Sequence, residues 1–483
     1  MTQVSKKYVL NAPITHITAD SRQVATGSLF LAYPGEHADG RDYIADAIKN
    51  GAVAVLWDDA DFKWSAKWKV ENLAIPQLRL QTGHIADQFY KQPSSLMWMI
   101  GVTGTNGKTS ITQWLSQCLN YLGRKTAVLG TLGNGLPNRI SPTDNTTPDA
   151  ILLQGMLADY LKQGAEVVAM EVSSHGLHQG RVNGVHFDIA VLSNLSRDHL
   201  DYHATYEQYA AEKQRLFESA ALKTAVLNAD DEFGQQLESM LIKAGTPVTT
   251  YGIDDGEIRA TELHFEDTHF AFYAMTPVGN AQIIANLIGR FNVYNVLAVL
   301  ATLLASNVSL ADAAEAISNI QSAPGRMQQL GGGALPLVVV DYAHTPDALQ
   351  KVLETLKEQL KPEAKLTCVF GCGGDRDIGK RPLMGKVAGE IAHGVIVTTD
   401  NPRSENASDI IQDIVGGVQG NYAIEEDRAK AISTAILAAK AGDIVLIAGK
   451  GHENYQEIAG VKQNFSDLEQ AQAALIKYEA TIA

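Results

Sequence analysis

The chain has 483 residues, of which 45% are hydrophobic and 19% are charged. This length exceeds what one hydrophobic core can organise, so we expect about three domains. Acidic residues outnumber basic ones by 54 to 39, a net charge of −15 that argues against nucleic-acid binding. No apolar run reaches the ~20 residues of a membrane span, and the polar residues 1–11 do not have the pattern of a secretion signal. Three cysteines are an odd, sparse set that fits a reducing cytoplasm.

Residues 1–93 have the pattern of a small α/β domain. Strand-like runs at 28–33 and 52–57 flank a short helical pattern at 43–50. A proline and two serines at 93–95 then read as a linker to the next domain.

The next segment has the pattern of a phosphate-binding loop. An apolar run at 96–102, typical of a buried strand, leads into a glycine-rich loop and then a helical pattern. The loop supplies Gly104, Gly107, Lys108 and Thr109. Backbone N–H groups, the helix N-terminus and Lys108 would attract phosphate, and the Thr109 hydroxyl can ligate Mg²⁺. The first glycine of the strict motif is replaced by Val102, but the flanking strand and helix favour a nucleotide site over an ordinary turn.

Further strands in this region end in polar residues. Glu171 lies near the end of an apolar run at 166–172, where a second Mg²⁺ ligand would be useful beside a phosphate loop. His199 and His203 follow the run at 188–195, and their spacing is compatible with a metal site or with an ordinary polar loop. Lys213 lies in the helical pattern 206–219 and, taken alone, reads as a surface lysine. A weakly alternating segment at 261–284 predicts additional β structure.

From about residue 326 the pattern begins again. Four strands, each followed by a polar loop, alternate with helical segments through the rest of the chain. Strands that alternate with helices predict a doubly wound parallel sheet, whose ligands bind at the carboxyl ends of the strands.

Nine of these segments, in this order, resemble the motifs of the Mur ligase family, and the resemblance covers nearly the whole chain. They are 101–110, 144–148, 171–176, 194–203, 325–327, 341–346, 371–376, 400–403 and 449–453. The displaced first glycine of the phosphate loop is the usual form in this family. The set most resembles the branch that adds the third residue of the peptidoglycan precursor peptide.

The resemblance implies an α/β fold of three domains. Residues 1–93 would bind the uridine nucleotide, 94–325 would form a P-loop ATPase domain with a mostly parallel sheet, and 326–483 would form a Rossmann-like amino-acid domain. The enzyme would join UDP-MurNAc-L-Ala-D-Glu to an amino acid, using ATP and Mg²⁺ and passing through an acyl phosphate. It would act in the cytoplasm, in cell-wall synthesis, as a monomer without nucleic-acid partners.

The family motifs also assign roles to residues. Thr109 and Glu171 would hold one Mg²⁺, His199 would ligate a second, and Lys213 would carry a carbamate that helps to hold metal. Lys108 would stabilise the transferring phosphate. The ATP phosphates would contact Gly104, Thr105, Asn106, Gly107, Lys108, Thr109 and Ser110, and the adenosine Asn292, Asn295, Arg326, Asp341 and His344. The muramoyl-dipeptide nucleotide would contact Ala19, Ser21, Glu36, His37, Ala38, Asn145, Thr146, Thr147, Ser173, Gln179 and Arg181.

The amino acid implied by the resemblance is meso-diaminopimelate. The loop 400–403 reads Asp-Asn-Pro-Arg, the form of diaminopimelate-adding enzymes. A guanidinium can bind the distal carboxylate of diaminopimelate, which lysine lacks, through two parallel hydrogen bonds. The recognition residues would be Arg376, Asp400, Asn401, Pro402, Arg403, Gly449 and Glu453, with Glu453 receiving the distal ammonium.

Four alternatives are compatible with parts of the sequence. A lysine-adding ligase of the same family is the nearest, and a folylpolyglutamate synthetase shares the central chemistry without needing the first domain. A phosphate-loop kinase or GTPase would transfer phosphate without forming an amide. A nucleotide-sensing module would leave Glu171, His199 and Lys213 without a common role.

Overall fold

The computed structural model describes residues 10–36, 38–143, 145–266 and 268–482. It divides into two compact units. The first comprises Met1–Arg259 and Ala298–Asp312, and the second comprises Ala260–Leu297 and Ala313–Ala483. Within the described residues, no helix combines the length and apolarity needed to cross a membrane.

The first unit begins with a four-stranded parallel sheet. Its strands, in spatial order, are β1 (His16–Thr18), β2 (Ser28–Ala32), β3 (Ala52–Trp57) and β4 (Glu71–Ala74). Two helices accompany it, α1 (Ile44–Lys49) and α2 (Leu78–Phe89). Every residue of β2 is buried, because the apolar side chains on its two faces enter two separate hydrophobic clusters.

The segment predicted as a linker is ordered and packed. Pro93–Leu96 forms a short 3₁₀ helix in which Pro93 and Ser94 are buried. The Ser94 hydroxyl accepts a hydrogen bond of 3.1 Å from the His186 backbone N–H. A proline and two serines therefore form a packed turn here.

A larger sheet follows in the same unit. Its strands are β5 (Trp98–Thr103), β6 (Thr126–Gly130), β7 (Gly133–Leu136), β8 (Arg139–Ser141), β9 (Val167–Glu171), β10 (Ile189–Leu192), β11 (Thr224–Asn228) and β12 (Val248–Gly252). The spatial order is β12-β11-β10-β5-β9-β6-β7-β8. The strands from β12 to β6 are parallel, and β7 and β8 add antiparallel pairs at the edge.

The helices of this part are α3 (Lys108–Tyr121), α4 (Ala150–Lys162), α5 (Ser174–His178), α6 (Leu200–His203), α7 (Tyr206–Gln214) and α8 (Glu232–Ala244). The strand order reverses direction at β5, with β9 and β6 on one side and β10 to β12 on the other. Ligands bind at such reversal points, at the carboxyl ends of the strands, and the glycine loop lies there.

The predicted extra β structure is confirmed after β12. The chain continues through β13 (Ile258–Phe265), β14 (Phe270–Thr276), β15 (Gly279–Ala285), α9 (Arg290–Ala305) and α10 (Leu310–Ser318). Strands β14 and β15 form an antiparallel hairpin in which buried and more exposed residues largely alternate.

The second unit contains the predicted doubly wound sheet. Its strands are β16 (Gln328–Gly331), β17 (Leu337–Asp341), β18 (Leu366–Phe370), β19 (Gly394–Val397), β20 (Tyr422–Ile424) and β21 (Ile444–Ala448). The spatial order is β16-β17-β21-β18-β19-β20, and all pairs except β16–β17 are parallel.

Helices cover both faces of this sheet. They are α11 (Pro346–Glu358), α12 (Lys380–Ile391), α13 (Ala407–Val415), α14 (Arg428–Ala438) and α15 (Asp467–Ile482), and a hairpin of β22 (Tyr455–Ile458) and β23 (Val461–Asn464) precedes the last helix. Apolar side chains of α11, α12 and α13 form one core cluster with the sheet, and those of α14 and α15 form another. The α/β class predicted from the sequence is confirmed.

Candidate active site

The loop between β5 and α3 has the geometry of a phosphate cradle. Gly104 and Gly107 have φ angles of +142° and +87°, which residues with a Cβ atom rarely adopt. Lys108 begins α3, and its ammonium donates to the carbonyl oxygens of Gly104 at 2.8 Å and Thr105 at 2.9 Å. The positive charge of Lys108 and the N-terminus of α3 therefore meet at one point, which is the arrangement that binds phosphate.

The cradle is tied to the end of β10 by Asn194, which the sequence did not mark as a site residue. Its side-chain oxygen accepts from the Asn106 N–H at 3.1 Å, and its amide donates to the Asn106 carbonyl at 3.1 Å. Its own carbonyl accepts from the Thr105 N–H at 2.8 Å. Ser110 is buried in the first turn of α3. The loop is thus held in shape by the neighbouring strand.

Glu171, at the end of β9, is buried beside the Thr109 hydroxyl. Thr109 Oγ1 donates to Glu171 Oε2 at 3.0 Å. Thr131 also contacts this carboxylate, through its N–H to Oε1 at 2.8 Å and its hydroxyl to Oε2 at 3.1 Å. The structure therefore brings the two predicted Mg²⁺ ligands together and adds Thr131, which follows β6 as a polar residue after an apolar strand.

Lys213 is not the surface residue that its sequence context alone suggested. It lies on α7 with only 1% of its surface exposed, and its Nζ donates to the Gly104 carbonyl at 2.8 Å. Burial, and then the nearby positive charge of Lys108, hold the pKa of its amine well below the ordinary value, while Asp198 opposes this shift. A buried lysine with a lowered pKa has a larger fraction of neutral amine, the form that reacts with carbon dioxide.

His199 lies in a strained turn near these residues. Its φ is +52°, and its ring contacts His175 with centroids 5.0 Å apart. Its Nε2 is 3.4 Å from Asp198 Oδ2. His203, the second histidine of the spacing, is buried and bonded to Ser174 Oγ at 2.9 Å. Among the described residues, no three histidine, cysteine, aspartate or glutamate side chains form a group able to hold a metal.

The predicted muramoyl-dipeptide residues form a connected polar network in the first unit. Gln179 donates to Glu36 Oε1 at 2.5 Å and accepts from Arg181 Nε at 2.8 Å. Arg181 also donates to the Thr147 carbonyl at 2.8 Å, and Thr147 Oγ1 donates to Ser173 Oγ at 3.1 Å. This network connects the loop after β2 with the ends of α4 and β9.

Other predicted residues of this group lie outside that network. Thr146 bonds to Thr131 Oγ1 at 3.1 Å, and the Asn145 side chain is exposed. Ala19 and Ser21 are half-buried beyond β1, and Ala38 is exposed. His37 lies outside the described residues.

The predicted adenosine residues all lie in the second unit. Asn292 and Asn295 are buried on α9 and bonded to each other at 3.0 Å. Asp341, at the end of β17, accepts from the N–H groups of Met327 and Ala343, each at 2.8 Å. Burial raises the pKa of Asp341, and the positive charge of Arg326 opposes the shift.

Arg326 and His344 flank one aromatic ring. The Arg326 guanidinium lies 4.9 Å from the centre of the Tyr342 ring, and the His344 ring centre lies 4.6 Å from it. Arg326 Nε is buried without a hydrogen-bond partner among the described residues. Such an unsatisfied charged donor is costly, so this group is suited to an incoming acceptor.

The loop 400–403 and the loop after β21 meet in the second unit. Asn401 Nδ2 donates to Glu453 Oε2 at 2.9 Å. Gly449 has a φ of +114°, and a Cβ atom there would lie 2.7 Å from Asp400 Oδ2, so only glycine leaves room for this carboxylate. Asp400 is buried, which raises its pKa, while the positive charges of Arg428 and Lys450 oppose the shift.

In the part of the chain that the structure describes, Arg403 and Arg376 do not share the contacts that join Asn401, Glu453, Gly449 and Asp400. Arg403 NH1 donates to the Gly374 carbonyl at 2.6 Å, and Arg403 Nε lies 3.6 Å from Glu457 Oε2. Arg376 is exposed, and its NH1 donates to the carbonyl of Asp375 at 3.3 Å. Pro402 is buried within the loop. The structure therefore brings Asp400, Asn401, Gly449 and Glu453 into contact, whereas no bond of Arg376 to them is present among the described residues.

Two side chains that support these loops were missed by the sequence analysis. Lys450 is completely buried and bonds to Asn401 and Glu453. Arg428 forms a buried pair with Asp467 and donates to the Thr399 carbonyl at 3.2 Å and the Ala448 carbonyl at 2.9 Å. Lys450 could have been noticed from its place inside the 449–453 motif, but no local pattern marks Arg428.

Comparison with known families gives three consecutive matches. Residues 13–90 match the model described as Mur ligase family, catalytic domain. Residues 102–303 match the Mur ligase middle domain, and residues 325–451 match the Mur ligase, glutamate ligase domain. The three-domain α/β organisation expected from the sequence is thus confirmed.

Curated relatives match over nearly the full length. The chain is 51% identical to the UDP-N-acetylmuramoyl-L-alanyl-D-glutamate--2,6-diaminopimelate ligase of Chromobacterium violaceum, over 96% of this chain and 95% of the relative. It is 50% identical to the ligase of the same name from Neisseria meningitidis serogroup A, over 96% of each chain.

Solved structures are also similar to this chain. A structure of a UDP-N-acetylmuramoyl-L-alanyl-D-glutamate--2,6-diaminopimelate ligase matches with a TM-score of 0.75 and 39% identity, over 98% of this chain and 96% of that one. A folylpolyglutamate synthase of Mycobacterium tuberculosis, with ADP and AMPPCP, matches 77% of this chain and 92% of its own with a TM-score of 0.63. At 18% identity this second likeness shows a shared fold only.

Proposed function

The chain belongs to the Mur ligase family, and from that premise we propose that it joins meso-diaminopimelate to UDP-MurNAc-L-Ala-D-Glu at the expense of ATP. The product is the UDP-MurNAc-tripeptide of peptidoglycan precursor synthesis. The observation that carries this assignment is the full-length similarity to diaminopimelate ligases, together with the Asp-Asn-Pro-Arg loop at 400–403.

The chemistry requires activation of the D-Glu side-chain carboxylate, because an oxide is a poor leaving group. Transfer of the γ-phosphoryl group of ATP to this carboxylate forms a C–O–P bond, giving an acyl phosphate and ADP. The neutral amine of diaminopimelate then attacks the acyl carbon, phosphate departs with the C–O bond electrons, and the amine loses its proton.

The glycine loop performs the first part of this reaction. Its N–H groups and Lys108 surround the position of the transferring phosphate and stabilise the charge that spreads over its oxygens. Two carbonyl groups of the loop, those of Gly104 and Thr105, fix the position of the Lys108 ammonium.

The fit of Mg²⁺ to these residues rests on Thr109 and Glu171. A buried carboxylate beside a hydroxyl offers adjacent oxygen donors, the ligands that Mg²⁺ prefers. Mg²⁺ held there would neutralise phosphate charge. We propose that His199 and a carbamate on Lys213 hold a second ion, since the carbamate would replace a repelling ammonium with an anion.

Each of the three domains has its own substrate in this proposal. We propose that residues 1–93 bind the uridine end, residues 94–325 the ATP phosphates, and residues 326–483 the amino acid. The network of Glu36, Gln179 and Arg181 supports a polar substrate contact in the first unit. We propose that the reaction takes place in the cytoplasm, in agreement with the buried free thiols at 118, 368 and 372.

An ADP-release assay tests the proposal. The purified chain is given ATP, Mg²⁺ and UDP-MurNAc-L-Ala-D-Glu, with meso-diaminopimelate, L-lysine or no amino acid. We expect rapid ADP release only with diaminopimelate. Release without an amine would indicate a phosphotransferase, and preference for lysine would indicate the lysine-adding ligase.

A further inference from the structure

A completely buried lysine lies inside the proposed amino-acid pocket without a role in the reaction described so far. Lys450 follows Gly449 in the loop after β21, and its side chain has no exposed surface. Its ammonium donates to Asn401 Oδ1 at 3.0 Å and to Glu453 Oε2 at 2.9 Å, and lies 3.8 Å from Asp400 Oδ1. All three partners are among the residues that the family motifs assign to the recognition of diaminopimelate.

Lys450 fixes the orientation of Asn401. The Asn401 side-chain oxygen accepts from Lys450 and from the Glu457 N–H at 2.9 Å, so its amide nitrogen must face Glu453. Among the described residues, both side-chain bonds to Glu453 fall on Oε2 and none falls on Oε1. The Glu453 side chain keeps 19% of its surface exposed, which leaves Oε1 as the oxygen available to a ligand.

Lys450 also sets the charge of the pocket. The pair of Lys450 and Glu453 is neutral overall, and so is the pair of Arg403 and Glu457, whose carboxylate oxygen lies 3.6 Å from Arg403 Nε. The Asp400 carboxyl, 3.8 Å from Lys450, is buried, which raises its pKa and disfavours its charged form. The distal end of diaminopimelate carries one ammonium and one carboxylate and is neutral, whereas the distal end of lysine carries a single positive charge. Without Lys450 the charge of Glu453 would be uncompensated, and attraction to a cation is strong where water is largely excluded.

We propose that Lys450 is a specificity-determining residue that, by neutralising Glu453, makes the pocket favour a zwitterionic distal end over a singly cationic one. This inference rests on the proposed function, because it concerns the amino acid of that reaction. Lys450 acts through Glu453 and Asn401 rather than by contact with the reacting atoms.

A charge-balance cycle tests the proposal. The ratio of kcat/KM for meso-diaminopimelate to that for L-lysine is measured in wild type, K450M, E453Q and the double variant. We expect the ratio to fall about tenfold or more in K450M, to rise in E453Q, and to return toward wild type in the double variant. The KM values for ATP and UDP-MurNAc-L-Ala-D-Glu should stay within about twofold.

Lys430 provides a matched control. It is an exposed lysine on α14 whose ammonium pairs with Glu425. K430M should leave the ratio unchanged. If K450M proves unstable by thermal unfolding, K450Q removes the same charge and should change the ratio in the same direction.

Two outcomes would overturn the inference. Equal losses for both amino acids in K450M or K450Q would make Lys450 a structural residue only, and a ratio that stays low in the double variant would exclude charge balance as the cause. Failure of the wild type to use diaminopimelate would instead refute the proposed function, so the two failures are distinguishable.

Discussion

Replacement of Arg403 by alanine should damage the use of diaminopimelate far more than the use of lysine. Arg403 has a φ of +50°, and its guanidinium is held by the Gly374 carbonyl at 2.6 Å and lies 3.6 Å from a Glu457 carboxylate oxygen. Its side chain is only 21% exposed, so it is largely desolvated. Among the described residues the guanidinium makes one hydrogen bond, to the Gly374 carbonyl, which leaves guanidinium N–H groups for a bidentate carboxylate contact.

The magnitude follows from the loss of one partly buried, charged contact. Such a contact is worth about 2–4 kcal/mol, which corresponds to ~30- to 1,000-fold in kcat/KM. Lysine has no distal carboxylate for Arg403 to bind. R403A should therefore lower kcat/KM for lysine only slightly. The loss for diaminopimelate should appear mainly in its KM, because the distal end is held equally in the ground and transition states.

Steady-state ADP release measures kcat/KM for both amino acids in wild type, R403A and R403K. R403K keeps the charge but loses the planar fork, so it should recover only part of the activity with diaminopimelate. The reasoning is refuted if R403A lowers both reactions by the same factor, or if the wild type prefers lysine.

Three further substitutions test other parts of the account. K108A should abolish ligase activity in a folded protein, as checked by turnover and circular dichroism, and near-normal turnover would contradict the phosphate role. K213A should lose most activity, and bicarbonate should not restore it although a short carboxylic acid should do so in part; full activity would mean that no carbamate is needed. R428M should lower the free energy of unfolding in denaturant titration by about 3–5 kcal/mol because Asp467 stays buried without its partner, and R428M/D467L should be more stable than R428M. An R428M variant as stable as wild type would contradict this.

The sequence predicted the parts of the site that lie within short, continuous motifs. The phosphate loop was recognisable because strand, glycines, lysine and helix follow one another directly, and the strained φ angles at Gly104 and Gly107 show why glycine occurs there. The α/β class followed from the alternation of apolar runs and helical patterns. The burial of Lys213 could not be seen locally, because it depends on packing of α7 against a loop 109 residues earlier in the chain.

The features that the sequence did not predict were mainly contacts between segments far apart in the chain. Thr131 reaches Glu171 across 40 residues, and Arg428 meets Asp467 across 39. The hydrophobic pattern of the sequence does not indicate such pairs, since each partner is an ordinary polar residue in its own segment. The packing of the segment 93–95 was not predictable for a related reason, because Ser94 bonds to a residue 92 positions later in the chain.

The central claim is that ATP activates the D-Glu carboxylate for attack by diaminopimelate, and isotope transfer tests it most directly. UDP-MurNAc-L-Ala-D-Glu carrying a heavy oxygen isotope in the D-Glu side-chain carboxylate is incubated with the enzyme, ATP, Mg²⁺ and meso-diaminopimelate, and phosphate and nucleotide products are analysed by mass spectrometry. The account predicts one labelled oxygen in the released phosphate and an equal amount of UDP-MurNAc-tripeptide. Unlabelled phosphate, or phosphate release without tripeptide, would contradict it.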